Sequence, residues 1–227
     1  MNNKKSFSKG QLWGVKLNLI SLLFSSISPV LNKFSLTSLS PVIGGIFTSI
    51  FAAVFVLITI VFRRQALSWR SFANPWLWLL GGTNAVGIIL QYVALSLLSP
   101  ITVTLIARMY LVYFFVLSYV FLREKIEGLD YLAIVLCIID SFLISSDRLQ
   151  LSDNGWGIIC AFIYPLMYAA NNITAKHLVT DAHANSVLFY NHSTSAILLL
   201  VFALASGTSF KGISSSAVAF NFGGGLL

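Results

Sequence analysis

The chain has 227 residues, 57% of them hydrophobic and only 9% charged, with a formal net charge of +7. Soluble globular domains carry about 25% charged residues, so a water-soluble fold is excluded: there are too few polar groups to cover its surface. The composition implies an all-α multi-pass membrane protein, in contact with the lipid bilayer along most of its length.

A bilayer core of about 30 Å takes about 20 apolar residues in helical form. Seven stretches qualify, at 12–31, 42–62, 76–98, 100–121, 129–145, 155–175 and 186–206, and an eighth starts near Ser216. The connections are short and polar, among them SLSP, SP, REKIEG and TDAHAN. Barrel strands would alternate polar and apolar residues over about ten positions, which these runs do not. The amino terminus has the charges of a signal peptide, but Lys16 interrupts its apolar run and no small-residue cleavage site follows, so a first membrane helix is expected.

The basic residues divide unevenly between the loops. Lys4, Lys5, Lys9, Arg63, Arg64, Arg70, Arg123, Lys125 and Lys176 fall on the amino-terminal side, against Lys33, Arg148 and Lys211 opposite. Positive loops stay inside, so the N-terminus is expected in the cytoplasm of a cell-membrane protein. The same division explains the net charge as topology, and no nucleic-acid partner is expected. Cys137 and Cys160 lie in apolar runs without metal-ligand spacing. No metal or other cofactor is expected.

The chain carries an internal repeat. Trp13-Gly14 opens the first predicted helix and Trp156-Gly157 the sixth; one constant offset relates this pair, Lys33 to Lys176, and Gly81-Gly82 to Gly224-Gly225. Asn18, Ser21, Ser25, Ser28 and Asn32 share one face of the first helix. The offset carries them onto Ala161, Tyr164, Tyr168, Asn171 and Ala175. A unit of five helices is odd, so its second copy enters the membrane upside down, as in inverted-repeat transporters with a site near mid-membrane. The expected organisation is a first unit over 1–146 and an incomplete second over 155–227, with seven complete spans and the start of an eighth. The second unit stops roughly sixty residues, nearly three helices, short of the first at about 20 residues per span.

The segment SPITVTLIARMYLVYFFVLSYVFLREKIEGLDYLAIVLCIIDSFLISS resembles the end of an EamA domain of the drug/metabolite transporter superfamily. The features that carry the resemblance are the Ser-Pro turn, the apolar helix after it, Glu124 in a short charged loop, Gly128 and a last apolar helix. The resemblance implies ten helices in two inverted five-helix repeats, a central cavity, and movement of small metabolites; it leaves a homodimer open. The chain departs from the family at Asp140, where a small residue is common.

Arg108 is a permanent cation inside an apolar span, a placement that costs about 2.5–3.5 kcal/mol and usually marks a cavity or a partner. At 1.5 Å per residue, Gln91 and Arg108 lie about 10–12 Å below one surface and Asp140 about 8 Å below it. Arg108 therefore either holds an anionic group of a small-molecule substrate or pairs with Asp140, and the two roles are compatible. Asn84 and Tyr113 lie near mid-membrane, and Asn84, Gly87, Gln91 and Ala94 share a face. Tyr164, Tyr168, Asn171 and Ser25 are further cavity candidates, since a phenol offers an apolar ring with a polar tip. His192 is a candidate proton relay or a packed histidine.

No GxSxG or HExxH motif occurs, and Asp140 stands alone as a deep acid, so an intramembrane enzyme is not expected. The favoured reading is a secondary transporter that moves a small organic metabolite, amino acid or drug-like compound by alternating access. The alternative is a truncated membrane sensor or assembly partner without transport activity.

Overall fold

The computed structural model describes residues 16, 23, 26–67, 73–123, 128, 131–132, 134–139, 155–179 and 183–226. No strand occurs among them. Residues 16, 23 and 26–35 are the described part of α1. They are followed by α2 (Pro41–Phe62), α3 (Pro75–Leu97), α4 (Pro100–Ala107) and α5 (Met109–Leu117), which runs into a π-helical turn at Ser118–Leu122. Residues 131–132 and 134–139 belong to α6. The chain continues with α7 (Gly155–Val179), α8 (Ala184–Ala205) and α9 (Ser215–Leu226).

Among the described residues, five helices are long and apolar enough to cross a membrane: α2, α3, the composite Pro100–Leu122, α7 and α8. They coincide with five of the seven expected spans. The first and fifth expected spans lie largely outside the described residues, as do Ser25 and Asp140.

The spans begin where local chemistry dictates. Ser40, Asn74 and Ser99 each precede a proline, and each side chain accepts from a backbone N–H of the first turn, at Ile43, Trp76 and Thr102. This cap satisfies an orphan donor, while proline at the next position has no N–H to lose. The helix α7 runs four residues past its expected end, through Lys176, His177 and the buried Leu178. Cations in a last turn favour the helix dipole, and Leu178 joins a core cluster with Leu80 and Tyr190. Lys33 closes the other end of α3: its Nζ donates to the carbonyls of Leu95, Ser96 and Leu98, which lack helical partners.

The packing is inverted relative to a soluble protein. Phe55, Val61, Phe62, Val201 and Leu204 are exposed along the outer faces of α2 and α8. Asn32, Asn84, Asn171, Asn191, Thr194, Ser195 and Asn221 are buried. Lipid is as apolar as leucine, so helices in a bilayer associate through small residues and hydrogen bonds. Here α3 sits against α7 and α8, α2 packs on α8, and α9 packs on α2. Gly81 shows how close the approach is, since a Cβ there would stand 1.9 Å from Thr194 Oγ1.

The loops separate into two faces. One carries Ser40, Ser99 and the turn whose Ser214 N–H donates to Ser38 Oγ; we call it the Pro100 face. The other carries the ends of α2 and α7 and the starts of α3 and α8, where Asn185 Nδ2 donates to Gln65 Oε1 and the Trp76 and His177 rings lie 5.4 Å apart; we call it the Trp76 face.

Candidate functional site

The span Pro100–Leu122 was expected as one helix and is not regular. At Arg108 the backbone tightens: its N–H donates to Leu105 O (3.2 Å), and its carbonyl accepts from Leu111 N (3.0 Å), three residues apart rather than four. Ten residues on, the π turn loosens the ladder and ends at Arg123 in the left-handed conformation (φ 53°). Tight and wide turns within helices recur at hinges and functional sites.

The tight turn borders a cavity of about 510 Å³ in the half of the molecule nearer the Pro100 face. Ligand sites commonly occupy 300–1,000 Å³. The fourth span supplies Thr104, Arg108 and Tyr110, α3 supplies Gln91, and α7 supplies Tyr164 and Tyr168; Ser26 and Pro29 of α1 complete the described wall. Four of the candidate residues thus come together: Arg108, Gln91, Tyr164 and Tyr168.

Gln91 and the two tyrosines are held from behind. Tyr168 donates its hydroxyl to Gln91 Oε1 (2.7 Å). Its ring lies on Gly87, where a Cβ would stand 2.9 Å from the ring edge. Tyr164 donates to Val103 O (3.1 Å), tying α7 to α4, and its ring meets Tyr168 edge-on at 5.8 Å. Both rings thus have fixed positions before any ligand arrives. Arg108 is exposed in the cavity rather than packed among apolar groups.

Asn84 and Asn171 lie elsewhere, in a buried junction of α3, α7 and α8. Asn84 Nδ2 donates to Ser195 Oγ (2.9 Å). Asn171 and Asn191 exchange amide hydrogen bonds, both 3.1 Å, and Asn171 Nδ2 also reaches Leu80 O (2.6 Å). Tyr113 is half-buried on α5 and does not line the cavity. His192 is half-buried on α8, away from the cavity, and its buried Nδ1 has no hydrogen-bond partner among the described residues.

Sequence reasoning missed Thr104, Tyr110, Ser26 and Pro29. Thr104 precedes Arg108 by one helical turn, so the i, i+4 rule places it on the same face and could have found it. Tyr110 shares that wall because the tight turn at Arg108 shifts the face, which no periodicity predicts.

A second buried network holds α9. Asn221 Nδ2 donates to Tyr92 OH (2.7 Å), Tyr92 and Thr48 share a hydrogen bond (2.7 Å), and Thr48 Oγ1 donates to Asn221 Oδ1 (3.3 Å). Ser28 Oγ donates to Gly224 O (2.6 Å), bringing α1 to the same helix.

Compared with known families, residues 12–146 match the model of the EamA-like transporter family. The chain belongs to the EamA-like transporter family. No curated protein matches it. This EamA-like transporter is thus a multi-pass membrane protein of the drug/metabolite transporter type, as the Ser-Pro turn and charged loop suggested. Its described residues hold no cluster of His, Cys, Asp or Glu able to bind a metal ion.

Proposed function

We propose that this EamA-like transporter moves a small organic anion across the cell membrane by alternating access, with the Arg108 cavity as its binding site. The observation that carries the proposal is an arginine exposed in a membrane-embedded cavity beside Gln91, Tyr110, Tyr164 and Tyr168. A guanidinium offers a fixed fork of donors that matches a carboxylate or phosphate. The tyrosine rings offer an apolar wall for the rest of the molecule.

Two inverted units over 1–146 and 155–227 are part of this reading. The family match ends at residue 146. The helices α2 and α8 have equal lengths of 22 residues, and their ends obey the offset that relates Trp13 to Trp156. Partners exchange in the way an inverted pair requires: α3 packs on α7 and α8, while α9 packs on α1 and α2. The Trp76 face, with Arg63, Arg64 and Lys176, is the cytoplasmic one by the positive-inside rule.

The test is flux in proteoliposomes loaded with a panel of radiolabelled organic anions and neutral analogues. Anions are expected to exchange and neutral analogues are not. Arg108→Gln is expected to lower anion exchange by at least about tenfold, the loss of a charge-assisted hydrogen bond. Unchanged exchange in Arg108→Gln would remove Arg108 from the site. No exchange of any compound would favour a chain that assembles with a partner and does not transport alone.

A further inference from the structure

Lys33 sits in the last turn of α1, on a stripe that also lines the Arg108 cavity. Positions 26, 29 and 33 fall on one side of α1 at helical spacing, and Ser26 and Pro29 are cavity wall. Lys33 therefore stands one turn beyond Pro29, about 6 Å nearer the Pro100 face. The same step is repeated on α3, which also runs toward that face: Gln91 lines the cavity, and Leu95 lies one turn beyond it. Lys33 Nζ donates from α1 to Leu95 O, and to Ser96 O and Leu98 O at 3.2 Å each. Leu98 O belongs to the turn that enters α4, and α4 leads on to Thr104 and Arg108 in the cavity wall. One ammonium thus ties α1 to the corner of α3 and α4, on the Pro100 side of the cavity.

The rest of that end is closed by packing. Leu95, Val103, Cys160 and Ala161 share one buried cluster of α3, α4 and α7. Gly157 of α7 lies against the same corner, where a Cβ would stand 2.9 Å from Leu97 Cβ and 3.1 Å from Leu98 Cγ. The α1 side is held instead by a charge on neutral carbonyls. Such a contact has a second satisfied state. Helix-end carbonyls accept from water as well as from a side chain, and an ammonium on a four-carbon stem is strongly hydrated and free to swing. At the membrane surface the contact can open without stranding a polar group.

We infer that Lys33 is the latch of the Arg108 cavity toward the Pro100 face. With its ammonium on Leu95, Ser96 and Leu98 the cavity is closed to that side; with the ammonium released, α1 parts from the α3–α4 corner and solute enters. The purpose of the latch rests on the transport reading, but its test needs no substrate. Lys33 acts through α1, so it is a positioning residue.

The test uses the full chain in liposomes of fixed orientation, with Cys137 and Cys160 replaced by alanine. Thr104→Cys and Ala107→Cys, at two cavity positions, report the access of a membrane-impermeant sulfonate thiol reagent added on one face. Lys33→Met keeps the length of the stem and removes the charge. It is expected to raise the labelling of both cysteines from the Pro100 face by at least about tenfold, the loss of charge-assisted hydrogen bonds, without raising it from the Trp76 face. Lys33→Arg is expected to keep the parental rate, because a guanidinium also donates to carbonyls. Lys33→Gln retains amide donors and serves if Lys33→Met fails to fold; its rate is expected to fall between the two. Lys176→Met removes an exposed cation at the Trp76 face and is expected to raise no labelling from the Pro100 face. A lower melting temperature of Lys33→Met with unchanged labelling makes Lys33 a cap of α3 and nothing more, and overturns the inference. Labelling that rises equally from both faces, or as much in Lys33→Arg, also overturns it, since the bundle has then loosened as a whole. The two readings fail separately: face-selective labelling without anion flux keeps the latch and sinks transport, and flux with labelling indifferent to Lys33 does the reverse.

Discussion

The helix α3 and the span Pro100–Leu122 are both 23 residues long and both apolar, yet they are built for opposite purposes. The former is regular and half buried, with Leu80, Asn84, Gly87, Tyr92 and Leu95 all inaccessible. The latter buries only Val103, Ile106 and Ser118, and it is tightened at Arg108 and loosened at Ser118–Leu122. Length and hydropathy do not distinguish them. The difference lies in what each helix offers its neighbours. Glycines and amides on α3 let α7 and α8 approach and hydrogen-bond; the fourth span offers bulky residues and one arginine, and its other side faces a cavity. The first is scaffold. The second has few contacts to lose if it moves, as elements that rearrange generally do.

The largest expected effect is on the scaffold. Gly81→Ala puts a methyl 1.9 Å from Thr194 Oγ1 and 3.1 Å from Ser195 N, where backbone must yield. Overpacking of this kind costs about 1–3 kcal/mol or more, and the variant should lose most of its monodisperse material in detergent gel filtration. Gly82→Ala is the control, because its nearest neighbour is Leu198 Cδ1 at 3.9 Å; it should behave as the parent. Equal behaviour of the two variants would break the contrast between scaffold and mobile span.

Next comes Asn171→Leu, which removes the reciprocal pair with Asn191 and the bond to Leu80 O. Hydrogen bonds between membrane helices contribute about 0.6 kcal/mol each on average. Leaving Asn191 unpaired adds to that, so the melting temperature should fall clearly while purified protein remains. A substitution of the same kind on the fourth span, Tyr113→Phe, should leave the melting temperature unchanged, since that side chain is only half-buried on a sparsely packed helix. The smallest effect on stability is expected for Arg108→Gln, despite its large expected effect on flux. An arginine exposed in a cavity adds little to packing, and thermal scans of this variant should overlay the parent within error.

Much of this was legible without coordinates. Composition excluded a soluble fold, and hydropathy located five spans to within a few residues. Arg108, Gln91, Tyr164 and Tyr168 were recoverable because a polar or charged group in a lipid-facing span is costly, and depth counted along two antiparallel helices put two of them level. Depth counting placed Asn84, and the polar stripe of the sixth helix placed Asn171, among the cavity candidates, and both lie in the scaffold junction instead. An asparagine on a helix serves a cavity and a helix interface equally well, and only the neighbour across from it decides.

The sequence by itself therefore determined which segments enter the membrane and which side chains are too polar to face lipid, because both follow from the local cost of solvating a residue. Tertiary structure alone decided which polar groups join helix to helix and which line a cavity. Asn171 finds Asn191, and Asn84 finds Ser195; Arg108, Tyr164 and Tyr168 meet around a cavity. It also decided that an apolar run reading as one helix tightens at its arginine, since a backbone irregularity depends on the helices packed around it.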